Sequence, residues 1–194
     1  TAPCGGMAEV KFLIDSVVAA AMGQVVPEMS VGDLKGGANH IHIAGPRADG
    51  GTYIHYEWPA GGTGASLGVD GSNAVRSYNE GDFNSIQSAE TVESQYPLRV
   101  ERCEVRTGAC GDGQYRGGFG LRRDIRILGD HAMLSVLSEK NVIPPYGVVK
   151  GCNAAANRFF VLRNGKEVEP SDVPGKVSGF ALQTGDVVRE ETAG

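Results

Sequence analysis

The residues best equipped for chemistry gather between positions 40 and 84. His40 and His42 stand two apart in the alternating run His40-Ile41-His42-Ile43-Ala44, so a strand there turns both imidazoles to one face. Imidazole nitrogens on one face can hold a divalent metal, with His55 or Glu57 from the next alternating run completing the set. Histidines that are simply packed or half-exposed in a hairpin are the plainer outcome. Glu57 and Trp58 end that second run directly before Gly61-Gly62-Thr63-Gly64. A carboxylate beside unshielded backbone N–H groups is placed to contact a substrate or accept a proton; a surface glutamate next to a tight turn is the alternative.

Beyond the glycines, residues 59–96 lose periodicity and fill with Gly, Ser, Asn and Asp. A long aperiodic stretch in a compact chain is usually functional or packed against a partner. Asp70, Arg76, Asn79, Glu80, Asp82 and Asn84 give it polar groups of both signs, suited to a small polar ligand or a partner subunit, or to solvated loop surface. Glu57, Gly61, Gly62, Gly64, Arg76 and Asn84 are therefore the candidates for a substrate pocket, and no catalytic residue is assigned. An arginine-rich band from Arg99 to Arg126, interleaved with Glu101, Glu104 and Asp124, can pair across strands and reads as mostly structural and interfacial. Gly117-Gly118-Phe119-Gly120 runs on into a strand rather than a helix, which argues against a phosphate cradle there. Thr1 as an N-terminal nucleophile is a minor possibility beside simple removal of an initiator methionine. Cys4, Cys103, Cys110 and Cys152 form no CxxC pair and read as thiols rather than as a disulfide or zinc framework.

The elements that must position these groups begin with a helix over residues 7–22. Val10, Leu13, Ile14, Val17, Val18 and Ala21 recur there at helical spacing, Glu9, Lys11, Asp15 and Ser16 lie off the stripe, and Gly23 follows as a C-cap. Strands follow over residues 40–44 and 52–58, joined by turn chemistry at 46–51, then over 98–106, 122–128 and 132–138. Asn164-Gly165 joins runs over 158–163 and 166–168 with a strong hairpin signal, and 177–181 and 186–190 flank Thr184-Gly185. The expected fold is α+β: one β-rich mixed domain over residues 1–194 with an N-terminal amphipathic helix, lacking the strand–helix alternation of a dinucleotide-binding sheet.

Composition narrows the function classes. Hydrophobic residues make up 41% and charged residues 21% of 194, ordinary for a globular chain. The net charge of −5 with no basic block gives no grip on nucleic acid. No apolar run approaches the ~20 residues that cross a bilayer, and no signal-peptide pattern opens the sequence, so a cytoplasmic protein without membrane association is expected. Glycine is unusual at 29 residues, and the chain entropy lost in ordering it suggests compensation by a large partner interface.

Four runs, in order, resemble one family. They are Tyr96-Pro97-Leu98-Arg99-Val100-Glu101-Arg102, Gly111-Asp112-Gly113-Gln114-Tyr115-Arg116-Gly117-Gly118-Phe119-Gly120, Ile143-Pro144-Pro145-Tyr146-Gly147 and Gly185-Asp186-Val187-Val188-Arg189-Glu190-Glu191-Thr192. With Gly5-Gly6 and Glu57-x-x-x-Gly61-Gly62-x-Gly64-Ala65, they resemble the C-terminal third of the large subunit of the hydantoinase B/oxoprolinase family. The resemblance implies ATP-dependent opening of cyclic amides such as N-methylhydantoin, 5-oxoproline or caprolactam. Its alternatives are ATP-dependent carboxylation of acetone or acetophenone, or a non-catalytic assembly role. It implies phosphorylation of a carbonyl or enol oxygen, and as partners the N-terminal remainder of the large subunit and a hydantoinase A-like, ATP-using subunit. No cofactor is then expected on this chain: ATP with Mg, and any divalent metal held by histidines and an aspartate, belong to the partner portions. Family members are much longer and continue past the Glu-Thr motif, so a split gene, a cleaved subunit or a fragment is expected. Many amidohydrolase members carry a His-x-His-Met-Thr-Asn-type run where this chain has Arg76-Ser77-Tyr78-Asn79-Glu80-Gly81-Asp82, which leaves room for the carboxylase reading.

Overall fold

The structure is a computed structural model that describes residues 7–75 and 86–194. Its elements are α1 (Met7–Val25), a 3-10 turn (Pro27–Met29), β1 (His40–Pro46), β2 (Thr52–Glu57), α2 (Ala89–Gln95), β3 (Leu98–Arg106), β4 (Gly120–Ile127), β5 (Met133–Leu137), β6 (Arg158–Arg163), β7 (Lys166–Val168), β8 (Lys176–Ala181) and β9 (Val187–Glu191). They form two antiparallel sheets, ordered β2-β1-β5-β8 and β3-β4-β9-β6-β7. The fold is therefore α+β and β-rich, as the strand runs predicted. Asn164 and Gly165 both take positive φ, 53° and 75°, the geometry a type I′ hairpin requires. Among the described residues no helix is long and apolar enough to cross a membrane.

Alternation decides which faces meet. Ile41, Ile43, Tyr53, Leu134, Val136 and Val177 of the first sheet share one buried cluster with Leu98, Ile125, Ile127, Phe159, Val161 and Val188 of the second. The other face of the second sheet carries the arginine band. Arg122 pairs with Glu104 and Glu191, Arg102 and Arg189 both reach Asp124, and Arg126 meets Glu101. Each exposed pair contributes little alone; together they hold the register of β3, β4 and β9.

Two helical features depart from the sequence reading. A short helix, α2, interrupts the aperiodic stretch: the Ser88 hydroxyl accepts a hydrogen bond from Thr91 N at its start, and Val92 is buried in the core. Helix α1 turns the unexpected side inward. Glu9, Phe12 and Ser16 are buried, whereas Val10, Ile14, Val17, Val18, Met22 and Val25 are between 43% and 76% exposed. The inward face is fixed by specific partners. The Ser16 hydroxyl donates to Asp33 Oδ1 at 2.8 Å, Asn39 N donates to Glu9 Oε1 at 3.0 Å, and the Tyr146 hydroxyl donates to Ser16 O at 2.6 Å.

Candidate functional site

Strand β2 carries Tyr53, His55 and Glu57 on its buried side. Opposite them β4 presents Arg123, whose cross-strand neighbour on β9 is Glu190. Arg123 Nη1 lies 3.2 Å from Glu57 Oε1, and His55 Nε2 lies 3.2 Å from Glu57 Oε2. Both contacts are close but off the N–H axis, so Arg123 gives Glu57 charge proximity, and His55 a close polar neighbour, without an aligned hydrogen bond. Arg123 Nη2 donates to Gln87 O at 2.9 Å, and the Tyr96 ring packs 5.2 Å from that of His55. All four charged or polar members are inaccessible to solvent or nearly so.

Glu190 is the extreme member. Neither carboxylate oxygen has a hydrogen-bond partner. Burial pushes its pKa well above the usual carboxylate range; the charge on Glu57 and then that on Asp124 add to the rise, and Arg123 opposes it. One guanidinium cannot balance two buried carboxylates, so the neutral acid is favoured at Glu190. The cluster can store a proton. None of its members lines the cavities described below.

The glycines after Glu57 mark a crossing of chain segments. Gly61 N donates to Val75 O and Gly62 N to Ala193 O, so both N–H groups are already used. A side chain on Gly62 would strike the backbone of Gly118 and Gly194, one on Gly64 the backbone of Gly32, and one on Gly61 the Lys35 side chain. The same crossing uses the N–H groups of the later glycine run: Gly117 N donates to Gly111 O, Gly118 N to Thr63 O, and Phe119 N to Asn73 Oδ1. A phosphate would find these donors occupied.

The final Glu-Glu-Thr-Ala-Gly run is buried and works as a hub. Leu121 N donates to Thr192 Oγ1, which itself donates to Ala60 O, and Ala193 N donates to Asn157 Oδ1. Asn157 Nδ2 in turn donates to Lys35 O and Glu139 O. Gly64 borders a cavity of about 50 Å³ together with Asp33, Asp112, Tyr115 and Tyr146. Next to it, sharing Ala65, Tyr115, Val148 and Gly151, lies a cavity of about 450 Å³ that reaches Ser30, Ser66, Gln114 and Lys150.

The candidates from the sequence thus separate. Glu57, Gly61 and Gly62 sit in packed interior, and Gly64 borders the small cavity. Arg76 and Asn84 lie outside the described residues, as do Asn79, Glu80, Asp82, Thr1 and Cys4. His40, His42 and His55 do not converge. His55 pairs with Ile43 and shares its buried face, whereas His40 and His42 stand on the opposite face. His42 stacks on Tyr56 at 4.4 Å, and burial lowers its pKa; His40 meets the edge of Trp58 at 5.1 Å. Among the described residues no group of three or more His, Cys, Asp or Glu could hold a metal ion. Glu190, Asn157 and Lys35 were not singled out as site residues from the sequence, and Arg123 was read only as part of the arginine band; parity in β4 and β9 was the one available signal, since both place a charged residue in line with apolar neighbours.

Residues 1–194 match the hydantoinase B/oxoprolinase family along their whole length. The chain belongs to the hydantoinase B/oxoprolinase family. This family chain is 38% identical over 113 residues to a 5-oxoprolinase of Dictyostelium discoideum, covering 58% of the chain and 9% of that protein. It is 30% identical over 189 residues to an uncharacterised protein of Methanocaldococcus jannaschii, covering 97% of the chain and 31% of that protein. It is 28% identical over 171 residues to the B component of a putative D-/L-hydantoinase of a Pseudomonas species, covering 87% of the chain and 28% of that protein. Its fold recurs in an ATP-dependent caprolactamase of Pseudomonas jessenii (TM-score 0.68, 23% identity, 90% of this chain and 31% of that one). It recurs also in a nucleotide-free acetone carboxylase (TM-score 0.67, 15% identity, 89% and 27%). The hydantoinase B-family chain therefore spans less than a third of each of these relatives.

Proposed function

We propose that this chain is the framework portion of an ATP-dependent cyclic-amide hydrolase, working with the rest of a hydantoinase B-like subunit and with a hydantoinase A-like, ATP-using subunit. The observation that carries the reading is the family match over the whole chain, together with sequence relatives named 5-oxoprolinase and hydantoinase. The likeness to acetone carboxylase is one of fold, so carboxylation is kept as the result that would overturn the hydrolase reading.

Within such an enzyme, the chain shapes one wall of the small-molecule site and does not supply the reacting groups. Glu57 acts as a positioning residue: its carboxylate, sealed against Arg123 and His55, fixes the end of β2 and hence the course of residues 58–64. Gly61, Gly62 and Gly64 let four backbone segments cross closely enough to set that wall. Arg76 and Asn84 remain the proposed polar contacts from the intervening stretch. The 450 Å³ cavity beside Gly64 is within the range that encloses small ligands. The reading leaves ATP and its Mg to the partner polypeptide; in its support, the N–H groups at Gly117 and Gly118 are taken by backbone carbonyls and offer no phosphate cradle at that loop. A divalent metal does not fit the histidines here, since they face opposite sides of one sheet, and no step is routed through one.

The test is a steady-state assay of the assembled enzyme. Ring opening of 5-oxoproline, hydantoin or caprolactam, coupled to ADP release and independent of bicarbonate, is expected. ATP turnover that requires bicarbonate together with acetone or acetophenone would overturn the hydrolase reading. Glu57→Gln should lower kcat and leave the pH profile of the reaction unshifted; a displaced acidic limb would show that Glu57 itself exchanges protons with substrate.

A further inference from the structure

An amphipathic helix on a globular core normally turns its apolar stripe inward, and α1 does the reverse. Its rotation is set at three levels along the axis. Glu9 accepts from Asn39 N, Ser16 donates to Asp33, and Gly23 lies against Ser30, whose hydroxyl donates to Gly23 O. These residues are seven apart, so they form one seam. Replacing Gly23 with a larger residue would collide with the Ser30 side chain. Apart from Phe12, which is buried, the sequence has placed polar and small residues along the seam where the helix meets this chain, and an aliphatic stripe where it does not.

The outward stripe has the grain of a helix-packing surface. Val10, Ile14, Val17 and Ala21 follow a 4-3-4 spacing, and Val10, Ile14, Val18 and Met22 form a row four apart, with Val25 at its end. All are exposed, and Lys11 borders the stripe without interrupting it. Ala21 is small enough to let another backbone approach. A contiguous apolar strip of this length marks an interaction surface.

What covers it follows from the proportions of the relatives. In the archaeal relative and in the caprolactamase, 97% and 90% of this chain is matched within polypeptides of which it makes up only 31%. More than two-thirds of a hydantoinase B-type polypeptide must therefore be accommodated around a fold of this kind. We propose that the α1 stripe is the seat of an apolar helix contributed by that additional hydantoinase B-type polypeptide, packed lengthwise along Val10, Ile14, Val17 and Ala21. This rests on the reading that the chain works inside a larger family assembly, and it is independent of the substrate.

The experiment places a photo-crosslinking residue in the assembled enzyme, Val17→p-benzoylphenylalanine, and identifies the linked peptide by mass spectrometry. A link to a helical, aliphatic-rich segment of the additional hydantoinase B-type polypeptide is expected, whether that polypeptide is continuous with this chain or separate from it. Links to a second copy of this chain, to the ATP-using subunit, or to nothing would each overturn the proposal. A second measurement uses Val17→Asp, which should weaken association with that polypeptide at least about tenfold, while Lys11→Ala changes it by less than about twofold. Equal retention in both variants would also overturn it. Neither readout uses turnover, so an enzyme that proves to be a carboxylase leaves the result intact, and a failed crosslink leaves the assigned reaction intact.

Discussion

At Arg123 one guanidinium faces two buried carboxylates, and the consequences can be measured at single residues. Removing it by Arg123→Ala leaves the Glu57 charge buried beside His55 and should cost about 3–5 kcal/mol in urea unfolding; a loss below about 1 kcal/mol would show that water reaches the cluster. Glu190 gives a pH signature with a definite sign. Its folded pKa stands well above that of an unfolded glutamate, near 4.3, so the native state binds the extra proton. Stability attributable to Glu190 is then greatest at acid pH and declines as pH rises past the unfolded value toward the folded one. Glu190→Gln should flatten the fall of unfolding free energy over that window and raise the melting temperature near neutrality. Part of the slope should persist, because burial also raises the pKa of Glu9. An unchanged slope in the variant would remove Glu190 from the account.

Among the elements, the strands were the most readable and the crossings the least. Alternation located β1, β2, β4 and β5, and Asn164-Gly165 located the β6–β7 hairpin, because period-two patterning and turn chemistry are local properties. Helix α1 was readable as a helix, but its orientation was not: local hydrophobicity favours burying Val10, Ile14 and Val17, and the opposite outcome depends on Asp33, Asn39 and Tyr146, far along the chain. For the same reason Glu57 was visible as a candidate substrate contact but not as a buried residue, and Arg123 and Glu190 were not visible as its companions, since only the β4–β9 register brings those two together. Ser16→Val tests the orientation directly. It removes the hydroxyl that donates to the Asp33 carboxylate, which keeps Leu34 N and Lys140, and should cost about 1–3 kcal/mol, although a plain amphipathic helix would gain from it. The glycine crossing makes a similar contrast. Gly64→Ala, whose new methyl would overlap the backbone of Gly32, should destabilise by more than Gly50→Ala, which meets open space and suffers only from its positive φ, about 1 kcal/mol. Equal effects in thermal melts would mean the crossing is looser than described.

The molecule as a whole joins two sheets through one core, ties its last residues into the centre through Thr192 and Asn157, and leaves an aliphatic helix face outside. Its acid–base cluster is buried, and the N–H groups of Gly61, Gly62, Gly117 and Gly118 are committed to neighbouring backbone. On the proposed function, such a fold holds shape for a reaction whose nucleotide and reacting groups come from companion polypeptide. The measurement that tests this most directly is ATP-coupled ring opening of 5-oxoproline, hydantoin and caprolactam by the isolated chain and by the chain assembled with the proposed hydantoinase B-type and ATP-using partners. The account predicts no turnover from the isolated chain and ADP release matched to ring-opened product from the assembly. Turnover of any of these amides by the isolated chain would contradict it.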